Sequence, residues 1–278
     1  MNLIDFDGLF DEKLTKFMEE NKNKYTEKQW EDIIPKLYKK FGDTYVAKVK
    51  CTPKEYYAKM SGEELVQTLL AHIESDVPTP EFLCAEIATR GEVETLAPML
   101  NCANVQAAVY ALNLIGDNPS VYDEYFKILQ NETVDEDLKN DVIDIFKLHA
   151  DELKERVLAL YKQGIAKEAA LEILSKVRAR DEEIYTLLLD NFLTYTNVPM
   201  HASYLASYGD ERALAPLLNK IEDRSIGFVE FQELKYAIEA LGGEYDEPRD
   251  FTGDKDYIAV EAQGKKITAS YETDEPRS

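Results

Sequence analysis

Apolar side chains recur every three or four positions along most of this chain, the spacing of one buried helix face. From Asp7 to about Asn23 the pattern runs through Phe10, Leu14, Phe17 and Met18, with Asp7 placed to cap the helix. Thr26-Glu-Lys-Gln29 then reads as a capping box, in which the Thr hydroxyl and the Gln side chain satisfy reciprocal end amides. The helix it opens carries Trp30, Ile33, Ile34, Leu37, Tyr38 and Phe41 and stops at Gly42, and Pro35 is expected to kink or split it. Residues 43–51 form an irregular connection. Thr52-Pro-Lys-Glu55 and Ser61-Gly-Glu-Glu64 are two further capping boxes, the first with proline where its missing N–H costs nothing. Thr79-Pro80 opens a helix through Phe82, Leu83 and Ile87 that Gly91 closes.

Beyond Gly91 a two-helix unit recurs. Acidic helix starts fall at Glu92, Asp117, Asp151, Asp181 and Asp210, at intervals of 25, 34, 30 and 29 residues. Carboxylates there suit the positive end of a helix dipole. The second helices are expected over 104–115, 135–149, 165–178, 198–208 and 227–241. Each carries one apolar stripe, such as Val105, Val109 and Leu112, or Leu234, Ala237, Ile238 and Leu241. No unit buries its stripe alone, so neighbours have to stack. With 62–90 the count is six units.

Two segments of the array echo each other 118 residues apart: Gly91-Glu-Val-Glu-Thr-Leu-Ala-Pro-Met-Leu100 and Gly209-Asp-Glu-Arg-Ala-Leu-Ala-Pro-Leu-Leu218. Pro98 and Pro216 sit at the same offset and are expected inside first helices, at equivalent kinks. The later segment, with the helix ending Ala-Ile-Glu-Ala-Leu-Gly-Gly243, resembles the HEAT-like repeat of bacterial solenoid proteins. The resemblance is sharp over 209–243 and 91–117 and only periodic between them. It implies an all-α fold, a right-handed superhelical α-solenoid with an N-terminal helical cap. The expected division is 1–60 cap, 61–243 HEAT-like repeat array and 244–278 acidic C-terminal tail. The alternative for the first helices is a separate binding module. Within the tail, Tyr257–Ala262 and Lys266–Tyr271 alternate weakly around Gln263-Gly264; a small hairpin and a flexible tail are both open readings.

Charge alters the picture of partners. The formal net charge is −22, yet residues 1–50 carry 10 basic and 10 acidic side chains. The acidity therefore belongs to the repeats and the tail. That speaks against nucleic-acid binding, which depends on Lys and Arg neutralising phosphates. The amino terminus lacks a basic start and an apolar core, so no secretory leader is expected, and no apolar run reaches membrane-spanning length. Cys51, Cys84 and Cys102 include no Cys-x-x-Cys pair, so neither a disulfide framework nor a zinc ribbon is expected. The reading is a cytoplasmic monomer.

The chemistry of the resemblance does not carry over. One HEAT-like group hydroxylates a modified lysine with iron held by His-Glu pairs, but here His72, His149 and His201 precede Ile73, Ala150 and Ala202. No nucleophile elbow, phosphate-cradling loop or His-Glu-x-x-His is present. No catalytic residue, cofactor or metal is expected. The functional expectation is a scaffold that grips a protein or peptide, preferably basic, along its second helices. Off-stripe positions there are Tyr110, Asn113, Glu172, Tyr204, Tyr208 and Tyr236. Tyrosine suits an interface because a large apolar ring ends in a hydrogen-bonding tip, although the same rings equally suit packing between repeats. Two alternatives remain: an acidic mimic of DNA that occupies a DNA-binding protein, and an enzyme with a divergent groove site.

Overall fold

The computed structural model describes residues 3–75 and 77–262. Among them the chain is helical throughout and forms no strand; Val46 and Cys51 make an isolated antiparallel bridge. It divides into two compact units, Met1–Val142 and Ile143–Ser278.

The first unit opens with α1 (Phe6–Glu20) and α2 (Glu27–Phe41). Asp5 caps α1, not Asp7; the Asp7 carboxylate instead accepts a 2.6 Å hydrogen bond from the Tyr38 hydroxyl and ties α1 to α2. Both halves of the Thr26 capping box form, and α2 runs unbroken through Pro35. Gly42 ends it with a right-handed φ of −54°. What requires glycine there is close approach, since a Cβ would lie 2.6 Å from the Phe82 ring. The Thr52 and Ser61 boxes open α3 (Pro53–Ala58) and α4 (Gly62–Ile73) as expected. α5 (Glu81–Arg90) ends at Gly91 in the left-handed conformation. α6 (Val93–Leu96), a 3₁₀ segment (Ala97–Asn101), α7 (Val105–Ile115), a 3₁₀ turn (Pro119–Val121) and α8 (Tyr122–Gln130) follow. The core gathers Phe6, Tyr57, Leu65, Leu69, Leu83, Ile87, Leu96, Leu100, Ala107, Ala111 and Tyr125, with Phe6 edge-on to Tyr56 and Tyr57.

α9 (Glu136–Leu148) contains the division between the units. In the second unit successive helices pack in pairs: α10 (Ala150–Lys162) with α11 (Lys167–Leu174), α12 (Glu182–Leu193) with α13 (Val198–Tyr208), and α14 (Leu214–Ile221) with α15 (Phe228–Ala240). The second members also touch in a row, α11 to α13 to α15. Their bounds lie within a few residues of the stripes that forecast them. Two turns repeat as well: Ala166 before α11 and Asn197 before α13 both adopt left-handed backbone, at φ 45° and 47°. Leu171, Leu174, Ile184, Leu188, Phe192, Leu205, Leu217, Leu234 and Ile238 are fully covered or nearly so. Each such side chain stabilises the fold by about 1.5–3 kcal/mol relative to an exposed one.

The echoed prolines both lie in helical segments, but not at equivalent kinks. Pro98 sits in the 3₁₀ segment that follows α6, whereas Pro216 is the third residue of α14, after a 3₁₀ turn (Glu211–Ala213). In the first turn of a helix the amide that proline lacks has no intrahelical partner, so Pro216 costs nothing there. Where α6 would have continued, Pro98 removes an α-type bond and the chain tightens to 3₁₀ instead.

The stretch after Gly243 also corrects the sequence reading. Residues 255–262 are helical, so the first arm of the hairpin alternative does not form; residues 266–271 lie outside the described residues. Asp254 caps this helix by accepting from the amides of Asp256 and Tyr257, and its other oxygen accepts from Phe228 at the start of α15. Phe228 and Phe231 pack against Phe251, and Phe228 also against Tyr257. The Arg249 guanidinium donates to the carbonyls of Ile221 and Asp223 past the end of α14, and lies 4.9 Å from the centre of the Phe231 ring. These contacts fold residues 245–257 back onto α14 and α15.

Candidate binding surface

In the second unit, α13 turns Val198, His201, Ala202, Tyr204, Leu205 and Tyr208 inward. Ser203, Ala206 and Ser207, at i, i+3 and i+4, are left on the outer face. Beside them α15 contributes Glu233, Tyr236, Ala237 and Ala240, and the two sets line a depression of about 280 Å³. Tyr236 is 60% exposed. Ser207 also lines a larger cleft of about 990 Å³, walled by the end of α9, the start of α10, the residues after α11 and the end of α13. Leu148, 77% exposed, stands at that wall. Small side chains thus lie between two uncovered apolar anchors.

The cleft mixes charges. Lys147 donates to Asp144 at 2.6 Å and to Glu172 at 2.8 Å. Burial works against its ammonium, but these two hydrogen bonds outweigh burial and raise its pKa above the usual lysine value. Lys176 reaches Ser207 at 2.6 Å, and the Asp151 carboxylate accepts from the amides of Arg178 and Ala179. Tyr208 lines the same cleft with its hydroxyl locked to the Asp181 backbone. Burial raises the pKa values of both Tyr204 and Tyr208, with Glu172 and Glu168 adding to the effect on Tyr204, so both hydroxyls stay protonated at neutral pH.

The six positions singled out from sequence fare unequally. Tyr110 is half-buried and Asn113 exposed, both on α7 of the first unit. Glu172 is engaged by Lys147 beside the cleft, and Tyr236 is exposed as expected. Tyr204 and Tyr208, expected to be exposed, are each only 8% exposed and pack as interior rings. The reason is position: Tyr204 and Tyr208 lie on the inward face of α13 with His201 and Leu205, whereas Tyr236 lies on the outer face of α15 beside Ser203 and Ser207. Leu148 escaped the pattern reading although a signal existed. On α9 the stripe runs Leu138, Val142 and Phe146, and a leucine two residues further on falls off that face.

The histidines stand apart. His201 is buried with Nε2 3.4 Å from Glu168 and Nδ1 without a hydrogen-bond partner; His149 has Nδ1 3.6 Å from Glu152. In the first unit His72 is buried with Nδ1 3.2 Å from the Val77 carbonyl. Among the described residues no three His, Cys, Asp or Glu side chains gather to hold a metal ion, and no helix is long and apolar enough to cross a membrane. Comparison of the chain with protein-family models, with curated proteins and with solved structures finds no match.

Proposed function

We propose that the chain is a HEAT-like scaffold and that the outer face of α13 and α15, with the adjoining cleft, docks a segment of another protein. The single observation that carries this reading is Tyr236, a 60% exposed ring sharing a depression with Ser203, Ala206 and Ser207. Side chains this small let a partner backbone approach, and an exposed tyrosine offers area at little conformational cost. Leu148 supplies a second anchor across the cleft. Glu233 is the one charged residue lining the smaller depression, whereas Asp144 and Glu152 share the larger cleft with Lys147, Lys176 and Arg178, so the segment that fits sets a basic side chain opposite Glu233.

The test is quantitative capture from the native extract with the full chain and with Tyr236→Ala and Leu148→Asp. Both side chains are exposed, so the variants keep their melting temperature. A partner that uses this face is depleted by both substitutions. Proteins captured equally by all three chains would refute it.

A further inference from the structure

The first unit carries a different kind of surface. α1 and α2 bury only Phe6, Phe10 and Phe41 between them, and Leu14, Phe17, Trp30, Ile33, Ile34 and Leu37 remain half-covered. Phe10, Leu14, Phe17, Leu37 and Phe41 line a groove of about 210 Å³ between the two helices, completed by Lys13, Lys40 and Thr44. Its floor is firm: Phe10 packs on Phe41 at 5.6 Å and edge-on to Tyr38 at 5.0 Å, and Tyr38 stacks on Phe82 at 4.7 Å. Its mouth is cationic. The Lys13 ammonium lies 4.8 Å from the centre of the Phe41 ring, and both Lys13 and Lys40 are exposed. Among the described residues neither lysine is ion-paired, like the other lysines of α1 and α2; what sets these two apart is that they line the groove. No carboxylate lines the groove.

We infer that this groove receives an acidic amphipathic helix of a partner protein. Two helices of 15 residues each run about 22 Å, the length over which a third helix sets apolar side chains at i, i+3 or i+4 and i+7. The described residues offer no strand edge to extend, and a groove bounded by two helices of this length suits a third helix laid along it. Two unpaired ammonium groups flanking aromatic rings select carboxylates beside the buried face, and this on a chain whose net charge is −22. A concave groove between two helices accepts inserted side chains better than a flat lipid surface does, which disfavours a membrane as the occupant.

The experiment places p-benzoylphenylalanine at Thr44 in the full chain and cross-links it by light in the cells that make it. The expected adduct is with a protein whose cross-linked peptide carries Leu, Ile or Phe at helical spacing flanked by Asp and Glu. Its yield should fall about tenfold with Lys13→Glu/Lys40→Glu, because charges at an interface rim govern encounter. Lys13→Gln/Lys40→Gln should give an intermediate yield. Both lysines are exposed, and circular dichroism with an unchanged melting curve checks that each variant folds. The inference is overturned by any of four results: no adduct, an adduct with phospholipid or a second copy, a cross-linked segment that is basic, or a yield indifferent to charge reversal in a folded variant.

Discussion

The Tyr208 hydroxyl makes two hydrogen bonds to one residue: it accepts from the Asp181 amide at 2.8 Å and donates to the Asp181 carbonyl at 3.0 Å. The end of α13 is thereby fastened to the residue that caps α12. Asp181 in turn accepts from the amides of Glu183 and Ile184 and from Lys154 on α10. A single aspartate joins three helices of the second unit. Tyr208→Phe keeps the ring and removes both bonds, so it should destabilise by about 1–2 kcal/mol. Urea unfolding with an unchanged slope is the check.

Tyr204→Ala should be far more costly. The ring is covered by neighbours of α13, and truncating a buried aromatic costs about 3–5 kcal/mol. Thermal melting of this variant beside Tyr236→Ala separates an interior tyrosine from an exposed one, with only the first expected to move.

Ala166 before α11 holds the left-handed backbone that Asn197 holds before α13. That conformation costs an alanine about 1–2 kcal/mol, and asparagine tolerates it better. Ala166→Asn should therefore stabilise the second unit by about 0.5–1 kcal/mol. A lower melting temperature for this variant would contradict the equivalence of the two turns.

Acid should weaken the second unit through Asp181 and Asp210. The Lys154 hydrogen bond, against some opposing burial, holds the Asp181 pKa below the usual 3.8; Arg212 does the same for Asp210. A carboxylate whose folded pKa is depressed contributes stability above its unfolded value and loses it as pH falls through the folded one. The contribution is therefore complete above about pH 4 and drains away below it. Lys154→Met should lower stability at pH 7 and flatten its decline between about pH 4 and 2, read by denaturant unfolding across that range.

Features decided within one turn of chain were legible without the fold. The boxes at Thr26, Thr52 and Ser61 form as written because both partners lie three residues apart. The span 198–208 was matched at both ends, with Gly209 supplying the left-handed stop. Features decided by neighbours were not legible. Tyr204 and Tyr236 are both off-stripe tyrosines, and only the way each helix turns against its neighbours makes one interior and the other surface. Residues 257–262 alternate like a strand, yet the Asp254 cap and the docking of Tyr257 on Phe228 favour a helix. The groove between α1 and α2 was half visible: its aromatic stripe was plain, but the lack of carboxylate partners for Lys13 and Lys40 required coordinates.

The fold-back after Gly243 bears on assembly. A row of paired helices presents at its last member the same kind of apolar face that each earlier member offers its successor, so an uncovered end is a template for another molecule. Here Phe228 and Phe231 would form that template, and Phe251, Tyr257 and Arg249 already occupy it. Among the described residues, these three cover the apolar face that α15 turns away from α13. Paired changes at Phe251 and Arg249 to alanine should convert a species of fixed mass into one whose size in light scattering grows with concentration.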